Sequence, residues 1–460
     1  MKHRKNRSEP ARLPPPAQFG AIKGSAGAFL LRPWFDAAAV KFVTDLFIPL
    51  SRAWAVAVAC DGDREAFSAE IGDPVRKIRR LDKVLGKVKE LTAQYREAAS
   101  EWEEAFFGAG ERSPEALVRA EMDRAVAADA YGRTRMGFMP LRRFVPRVKW
   151  AVDTPEEVQK ESGKFLHHPA EAFLPSIDAE ISCSRWVEGP HGPEGWIRTI
   201  SPVLGDVATA RVFRPKGAVK GTVVWLHGVG LEPEMWLSLA DPVNQLVEKG
   251  YCVIQPEGPW HGRRTPAGAY GGEIVFARGA AGFINLFRAW VTETALWCGW
   301  AHREMGHRVA VGGISLGALT SQLVASVCGN WPDNMTPDAC LLVTTTNDVI
   351  EGALHGSLAR RLGLGAALHG AGWTEEALRE WENLIEPRET PAIAPENIIM
   401  LLGSADTVTP YHGGAAMADQ WGVPDANRFV EKRGHFSSPL GLYRDPTPLW
   451  RLGEILERTN

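Results

Sequence analysis

The run Arg308-Val309-Ala310-Val311-Gly312-Gly313-Ile314-Ser315-Leu316-Gly317 joins a short β-like segment to a serine that lies between two glycines. This pattern is typical of a nucleophile elbow, in which a strand turns sharply into a helix and small neighbours permit the strained turn. The serine hydroxyl then projects beside the N-terminus of a helix predicted over 315–327. There the backbone amide of Leu316 can face a developing oxyanion. Ordinary glycine-flanked turns share the pattern, so the surrounding sequence must decide between a nucleophile elbow and an ordinary turn.

Candidate partners for the serine follow two later predicted strands. A serine hydroxyl needs a base to take its proton and a third group to orient that base. Asp406 follows the predicted strand Ile398–Leu402, and His435 follows the predicted strand Arg428–Glu431. The chain order serine, acid, histidine is typical of α/β-hydrolases. Taken singly, Asp406 could cap a turn and His435 could be a loop histidine; together they predict a triad.

A second acid competes for the same role. Asp348 lies just after the predicted strand Leu341–Thr345, and some hydrolases carry their acid one strand earlier. We rank it behind Asp406, which lies at a tighter junction between strand and loop.

A second oxyanion donor is expected in the loop after the predicted strand Thr222–Leu226. His227-Gly228-Val229-Gly230 follows that strand, and the backbone amide of Val229 is the expected donor. His227 is expected to be structural, because His435 already supplies the base.

The motif Gly258-Pro259-Trp260-His261-Gly262-Arg263-Arg264 follows the predicted strand Cys252–Gln255 and should also reach the edge of the site. One interpretation makes Trp260 and His261 walls of a substrate pocket, with Arg263 or Arg264 binding an anionic substrate group. The alternative is that these arginines pair with carboxylates such as Glu257 or Glu273.

The composition is that of a globular protein and gives no reason to expect nucleic-acid binding. Of its 460 residues 45% are hydrophobic, and the net charge is −3. The six cysteines are scattered without zinc-like spacing, which indicates buried free thiols in a reducing compartment. Neither His302 and His307 nor the pair His167-His168 matches a metal-ligand spacing, so we expect no metal and no cofactor. Pro10 and Pro14–Pro16 interrupt any secretory signal, and a cytoplasmic location is expected.

Changes in composition and hydrophobic pattern divide the chain into three regions. Residues 1–33 are predicted to be a flexible basic and proline-rich tail, 34–197 a mainly helical extension, and 198–460 a catalytic domain. Within the extension, Asp73-Pro74 should begin a long helix that runs to about Phe106, and Ser113-Pro114 another that runs to about Tyr131. We expect their apolar faces to pack on the protein, a partner-binding coiled coil being the alternative. The apolar stretch 42–59 is predicted to be a helix packed on protein, with peripheral membrane contact as the alternative.

From about residue 198, short β-rich runs alternate with helical stretches, which predicts a mostly parallel sheet with crossover helices. Besides the strands named above, we expect strands at Thr209–Phe213 and Val309–Gly312. Residues 348–395 exceed the length of a crossover and are expected to form a lid, with a helix beginning at Thr374-Glu375-Glu376.

Together, the elbow, the His227–Gly230 loop, Asp406 and His435 resemble the α/β-hydrolase superfamily from about residue 200 to the C-terminus. The run Gly312–Ala318, the sequence Asn330-Trp331-Pro332 and the loop Pro256–Arg264 look like abhydrolase family eighteen. This resemblance implies a serine esterase or lipase-like hydrolase. Leu316 and Ala318 stand where methionine and glycine would be usual in that family, which could reshape the acyl pocket.

The sequence thus predicts a serine hydrolase that cleaves carboxylic esters without a cofactor. Its expected partner is a small-molecule or lipid ester; the oligomeric state and the role of the extension stay open. An acyltransferase with the same triad and a non-catalytic binding protein are the alternatives. Tryptophans such as Trp225, Trp260, Trp297 and Trp373 fit either an apolar acyl pocket or an ordinary core.

Overall fold

The computed structural model describes residues 11–14, 27, 31–72, 80–230, 242–387 and 390–458. The predicted helix start at Asp73-Pro74, the basic residues 2–7 and most of the rest of the tail 1–33 lie outside this description.

A helical region precedes the sheet and begins with one continuous helical segment. This segment consists of α1 (Pro33–Phe42), a π-helical turn (Val43–Phe47) and α2 (Ile48–Ala59). The helices that follow are α3 (Arg64–Ile71), α4 (Leu81–Phe107), α5 (Pro114–Arg133), α6 (Pro155–Ser162) and α7 (Lys164–His167). α4 ends within a residue of the end predicted for the long helix, but it begins only at Leu81. Arg80, its N-cap, has φ 71° and lies outside the helix, so the predicted continuous helix from Asp73 is interrupted there. The N-cap of α5 is the predicted Ser113, whose hydroxyl accepts a hydrogen bond from the amide of Ala116.

One ten-stranded sheet forms the centre of the molecule, in the order β1-β3-β4-β6-β5-β7-β8-β9-β10, with β2 also paired to β3. The six strands from β6 to β10 in that order are parallel, and those before them are antiparallel. The strands are β1 (Ser182–Cys183), β2 (Val187–Glu188), β3 (Pro193–Ile200), β4 (Val207–Phe213), β5 (Thr222–Leu226), β6 (Cys252–Pro256), β7 (Val309–Ile314), β8 (Ala339–Val343), β9 (Ile398–Gly403) and β10 (Arg428–Glu431).

Helices pack on both faces of the parallel strands. β5 to β9 are buried along their whole length, so their sequences are nearly continuous apolar runs rather than alternating ones. The helices of this part are α8 (Val243–Glu248), α9 (Glu273–Ala277), α10 (Ala280–Met305), α11 (Leu316–Val327), α12 (Val349–His355), α13 (Ser357–Leu362), α14 (Leu364–Gly370), α15 (Glu375–Arg379), α16 (Glu382–Ile385), α17 (Tyr411–Gln420), α18 (Ser437–Gly441) and α19 (Thr447–Leu456). The central helix α10 is buried over most of its length and carries Trp290, Trp297 and Trp300 in the core.

The structure corrects two details of the predicted strands. β8 runs from Ala339 to Val343 rather than from Leu341 to Thr345, because Thr344 has φ 52° and leaves the extended conformation. The sheet also begins before residue 198. β1, β2 and most of β3 lie in the range predicted as helical extension, and β3 pairs with β4 from Glu194 to Ile200.

Where the sequence predicted a lid, the described residues of the segment 348–395 fold into the five short helices α12 to α16. Thr374 is the N-cap of α15, as expected for the Thr374-Glu375-Glu376 start, and accepts a hydrogen bond from the amide of Ala377. Arg361 of α13 pairs with Asp45 at 2.7 Å, which joins this segment to the N-terminal helical segment.

Pro33–Ala59 is long and apolar enough to cross a bilayer by length and composition alone. A core helix of a soluble protein meets the same criterion. In this protein every residue from Ile48 to Ala57 is buried in the fold, which agrees with the prediction of a helix packed on protein.

All six cysteines are free thiols, as predicted, but not all of them are buried. Cys183 is exposed and Cys60 is half-buried. Cys183 lies on the two-residue strand β1, which is exposed along its length.

Candidate active site

Ser315 lies at the turn between β7 and α11, in the strained geometry that its sequence pattern predicts. Its backbone has φ 55° and ψ −117°, a conformation that residues with a side chain rarely adopt. Both flanking positions must be glycine because neighbouring backbone atoms come too close to leave room for a Cβ. A Cβ on Gly313 would lie 2.6 Å from the backbone of Gly317, and a Cβ on Gly317 would lie 2.3 Å from the carbonyl oxygen of Leu226.

The side chains of Ser315, His435 and Asp406 form one hydrogen-bonded chain. His435 Nε2 lies 2.8 Å from Ser315 Oγ, and His435 Nδ1 lies 2.8 Å from Asp406 Oδ2. All three residues are buried, at 9%, 6% and 6% exposure. Residues from the ends of three different strands therefore meet with the spacing that a nucleophile, a base and an orienting acid require.

Asp406 is held in place by the loop that follows it. Its Oδ1 accepts hydrogen bonds from the amides of Val408 (2.8 Å) and Thr409 (3.1 Å). The hydroxyl of Thr409 lies 2.9 Å from Asp406 Oδ2 and 3.1 Å from His435 Nδ1. Thr409 is a residue of this site that we did not predict, since a threonine three positions after an acid carries no distinctive signal.

The competing acid, Asp348, lies elsewhere. It is the N-cap of α12, where it accepts a hydrogen bond from the amide of Glu351, and it pairs with Arg379 at 3.1 Å. These contacts use its carboxylate within the 348–395 segment, whereas the carboxylate bonded to His435 is that of Asp406.

Two buried histidines hold the His227–Gly230 loop against the loop that follows β6. The amide of Gly258 donates to His227 Nε2 at 2.9 Å, and the amide of Gly230 donates to His261 Nε2 at 3.1 Å. Each ring must therefore carry its proton on Nδ1, which faces a backbone carbonyl. Burial lowers the pKa of both, that of His261 to about 3, so both rings are neutral.

The structural role of His227 agrees with the prediction, but that of His261 corrects it. His261 is fully buried behind the loop and does not line the cavity beside Ser315. Trp260 likewise does not line that cavity; its backbone has φ 60° and its carbonyl accepts a hydrogen bond from the amide of Gly272. Both residues shape the loop rather than a substrate wall.

The arginines of the same motif pair with carboxylates, which was the alternative interpretation. Arg263 lies 2.8 Å from Glu257 and does not line the cavity beside Ser315. Arg264 is buried between Asp206 (2.8 Å) and Glu293 (2.7 Å). The prediction of an anion-binding Arg263 is therefore replaced by an ion pair inside the loop.

A cavity of about 330 Å³ opens beside Ser315 and His435. The predicted oxyanion loop contributes Val229 to its wall, and the N-terminal helical segment contributes the other side. Among the described residues that line it, none is Asp, Glu, Lys or Arg. The aromatic lining residues are Phe35, Phe42, Phe47, Tyr270, Phe276 and Phe436.

A smaller cavity of about 70 Å³ also borders Ser315. Val229 and Leu316, whose amides are the predicted oxyanion donors, both border it, as does Leu358 of the 348–395 segment. Val229 therefore borders both cavities, and Leu316 borders the small one.

Asp36 of α1 reaches the loop that carries His435 and was not predicted. Its carboxylate accepts hydrogen bonds from the amides of Gly434 (3.1 Å), Phe436 (2.6 Å) and Ser437 (3.0 Å), and from the hydroxyl of Ser437. About four hundred residues separate the two partners in the chain, so no local pattern could indicate the contact.

Within the described ranges, no group of three or more His, Cys, Asp or Glu side chains is arranged to hold a metal ion. The tryptophans singled out in the sequence pack mainly in the core. Trp225, Trp297 and Trp373 are each at most 2% exposed, and none lines either cavity beside Ser315.

The parallel sheet flanked by helices, with a serine elbow after its central strand, defines an α/β-hydrolase fold. Residues 223–445 match the alpha/beta hydrolase family. This range contains Ser315, Asp406 and His435.

Solved structures of two acetyl xylan esterases and of an S-formylglutathione hydrolase are similar to the chain. Acetyl xylan esterase 1 from Thermoanaerobacterium sp. JW/SL YS485 shares 16% identity at a TM-score of 0.46, covering 67% of this chain and 97% of that one. The acetyl xylan esterase from Paenibacillus sp. R4 shares 14% identity at a TM-score of 0.44, covering 67% and 96%. An S-formylglutathione hydrolase from Agrobacterium tumefaciens shares 15% identity at a TM-score of 0.39, covering 60% and 99%. A search of curated proteins gives no match.

Proposed function

We propose that the protein is a serine hydrolase that cleaves carboxylic esters through an acyl-enzyme on Ser315. The observation that carries this proposal is the unbroken chain of hydrogen bonds from Ser315 Oγ through His435 to Asp406. A buried serine in this arrangement can lose its proton to the imidazole as it attacks a carbonyl carbon.

In the proposed reaction, Ser315 Oγ attacks the ester carbonyl while His435 Nε2 takes its proton. Asp406 holds Nδ1–H and so fixes the ring in the required tautomer. The amides of Val229 and Leu316 stabilise the tetrahedral oxyanion, each contributing about 3 kcal/mol by analogy with other hydrolases. His435 then gives the proton to the leaving alkoxide, and water hydrolyses the acyl-enzyme.

The cavity wall favours an uncharged, apolar substrate. Burying an unpaired carboxylate costs several kcal/mol, and no cation faces the cavity from the described residues that line it. The ion pair of Arg263 with Glu257 supports the same conclusion. Esters with an apolar acyl or alcohol group therefore suit the site better than anionic ones. A volume of about 330 Å³ is at the low end of small-molecule sites, which run from about 300 to 1,000 Å³.

A matched pair of esters tests the function and the substrate class together. We expect p-nitrophenyl hexanoate to be hydrolysed with a kcat/KM at least about tenfold above that of the p-nitrophenyl half-ester of adipic acid, which adds a carboxylate at the chain end. Ser315→Ala should lose both activities. Equal rates for the two esters would contradict the apolar site, and full activity in Ser315→Ala would contradict the mechanism.

The acyltransferase alternative uses the same triad and differs only in the acceptor. Adding a short alcohol to the assay and measuring the new ester against the free acid separates the two. The narrower resemblance to abhydrolase family eighteen and a cytoplasmic location belong to the same proposal, on the motifs and composition given above.

A further inference from the structure

We propose that the N-terminal helical segment Pro33–Ala59 completes the active site and that Asp36 is a positioning residue for His435. This inference rests on the proposed function, since it assigns Asp36 a role through the proposed base. It gives the region before the sheet a task in the reaction rather than a role in packing alone.

The hydrogen bonds of Asp36 bracket His435 in the chain. Gly434 and Phe436, its two neighbours, both donate their amides to the Asp36 carboxylate, and Ser437 donates both its amide and its hydroxyl. Asp36 is 7% exposed, so water does not compete freely for these donors. Hydrogen bonds to an ionised carboxylate are about twice as strong as neutral ones. Asp36 therefore fixes the backbone on either side of the imidazole.

Close packing at Gly434 supports the same view. A Cβ on Gly434 would lie 2.5 Å from the carboxylate carbon of Asp36. The glycine before His435 is thus explained by the approach of Asp36, and not only by the turn that places the histidine.

The same helical segment also forms one wall of the large cavity. Phe35 lies one residue before Asp36, and Phe42, Phe47 and Ile48 follow on the segment; all four line the cavity beside Ser315. A movement of the segment would therefore alter the position of His435 and the shape of the cavity together.

A pair of variants tests the proposal. Asp36→Ala removes the carboxylate that accepts these four hydrogen bonds from the His435 loop. The control, Asp129→Ala, removes an exposed carboxylate of α5 that pairs with Arg133 and lies outside the segment Pro33–Ala59. The activity of each variant is measured as kcat per active site, with the sites counted by titration with a fluorophosphonate. This normalisation removes any unfolded fraction, which a purely structural role would increase.

We expect Asp36→Ala to lower kcat by about 10- to 100-fold with little change in KM, because a displaced catalytic group costs turnover more than binding. Asp129→Ala should stay within about threefold of the wild type, because its ion pair with Arg133 is exposed and lies on α5, outside the segment. Asp36→Asn keeps one acceptor oxygen and should fall between Asp36→Ala and the wild type. This variant provides the test if Asp36→Ala does not fold.

The proposal is overturned if Asp36→Ala, or Asp36→Asn where Asp36→Ala does not fold, matches Asp129→Ala in kcat per titrated site. It is also overturned if the variant changes only thermal stability. Failure of the proposed function looks different, because the wild-type protein itself would then titrate no sites at all.

Discussion

The sequence offered two candidates, Asp406 and Asp348, for the acid that orients the base, and their contacts in the structure distinguish them. Asp406 bonds His435 at 2.8 Å, whereas Asp348 pairs with Arg379 and caps α12. Asp406→Asn should lower kcat by about 10⁴-fold, since an amide would hold the imidazole in the wrong tautomer. Asp348→Asn should keep most of the activity. The check is hydrolysis of p-nitrophenyl acetate by both variants, and the reverse ranking would contradict the assignment.

His261 should make the protein sensitive to acid. Its pKa is lowered from 6.5 to about 3 by burial and by the neighbouring His227, so the unfolded chain binds the extra proton over that range. Above about pH 6.5 this histidine does not reduce the free energy of unfolding, and as the pH falls from 6.5 towards 3 the free energy of unfolding decreases. The loss is at most about 1.4 kcal/mol per pH unit.

His261→Gln removes this titration. Urea unfolding at pH 7, 6, 5 and 4 should therefore show a shallower loss of stability in the variant than in the wild type. An equal loss of stability with falling pH in the variant and the wild type would contradict the lowered pKa of His261 in the folded protein.

Single residues were predictable where function imposes a local pattern. Ser315, Asp406 and His435 each follow a strand within a few residues, and the structure brings all three together. Trp260, His261 and Arg263 follow a strand as well, but proximity to a strand end does not say where a side chain points. The full burial of His261 depends on packing against His227, which in turn packs against Trp290, and no short motif encodes these contacts.

Among the secondary-structure elements, α2 is joined to the α/β part by a buried ion pair. Arg52 contacts Glu70 at 2.5 Å and Glu273 at 3.4 Å; the side chains of Arg52 and Glu273 are each 2% exposed. Glu273 also accepts hydrogen bonds from the amides of Lys149 and Tyr270. Its carboxylate thus depends on contacts from both regions of the chain.

Arg52→Ala should lower the free energy of unfolding by about 3 to 5 kcal/mol, because it leaves the carboxylate of Glu273 buried without its cation. The control is Lys89→Ala, which breaks the exposed pair with Asp61 and should leave the midpoint of urea unfolding nearly unchanged. Equal midpoints for the two variants would show that the buried pair does not hold α2 in place.

Elements with strong local signals were predicted best. The Ser113 cap and the helix α5 that follows were confirmed, as were the buried strands from β5 to β7. β1 and β2 have only two residues each and could not be predicted from periodicity. They exist because β3 offers them an edge to pair with, which is a long-range condition.

At the scale of the whole molecule, the α/β-hydrolase fold followed from the order of the elements and the elbow, whereas the position of the extension did not. The amphipathic stripes of α4 and α5 predicted burial without naming the surface that covers them. Their packing partners include Trp196 on β3, which contacts both Trp102 and Phe106 of α4. The placement of α1 over the site, with Asp36 on the His435 loop, likewise needed the assembled fold.

The central claim is that Ser315 is an activated nucleophile, and labelling with a fluorophosphonate tests it most directly. The wild-type protein, incubated with the reagent and digested, should carry one phosphonyl group per chain, on the peptide that contains Ser315. Ser315→Ala should carry none under the same conditions. A wild-type protein that stays unlabelled while a control serine hydrolase reacts, or one labelled equally after Ser315→Ala, would contradict the account.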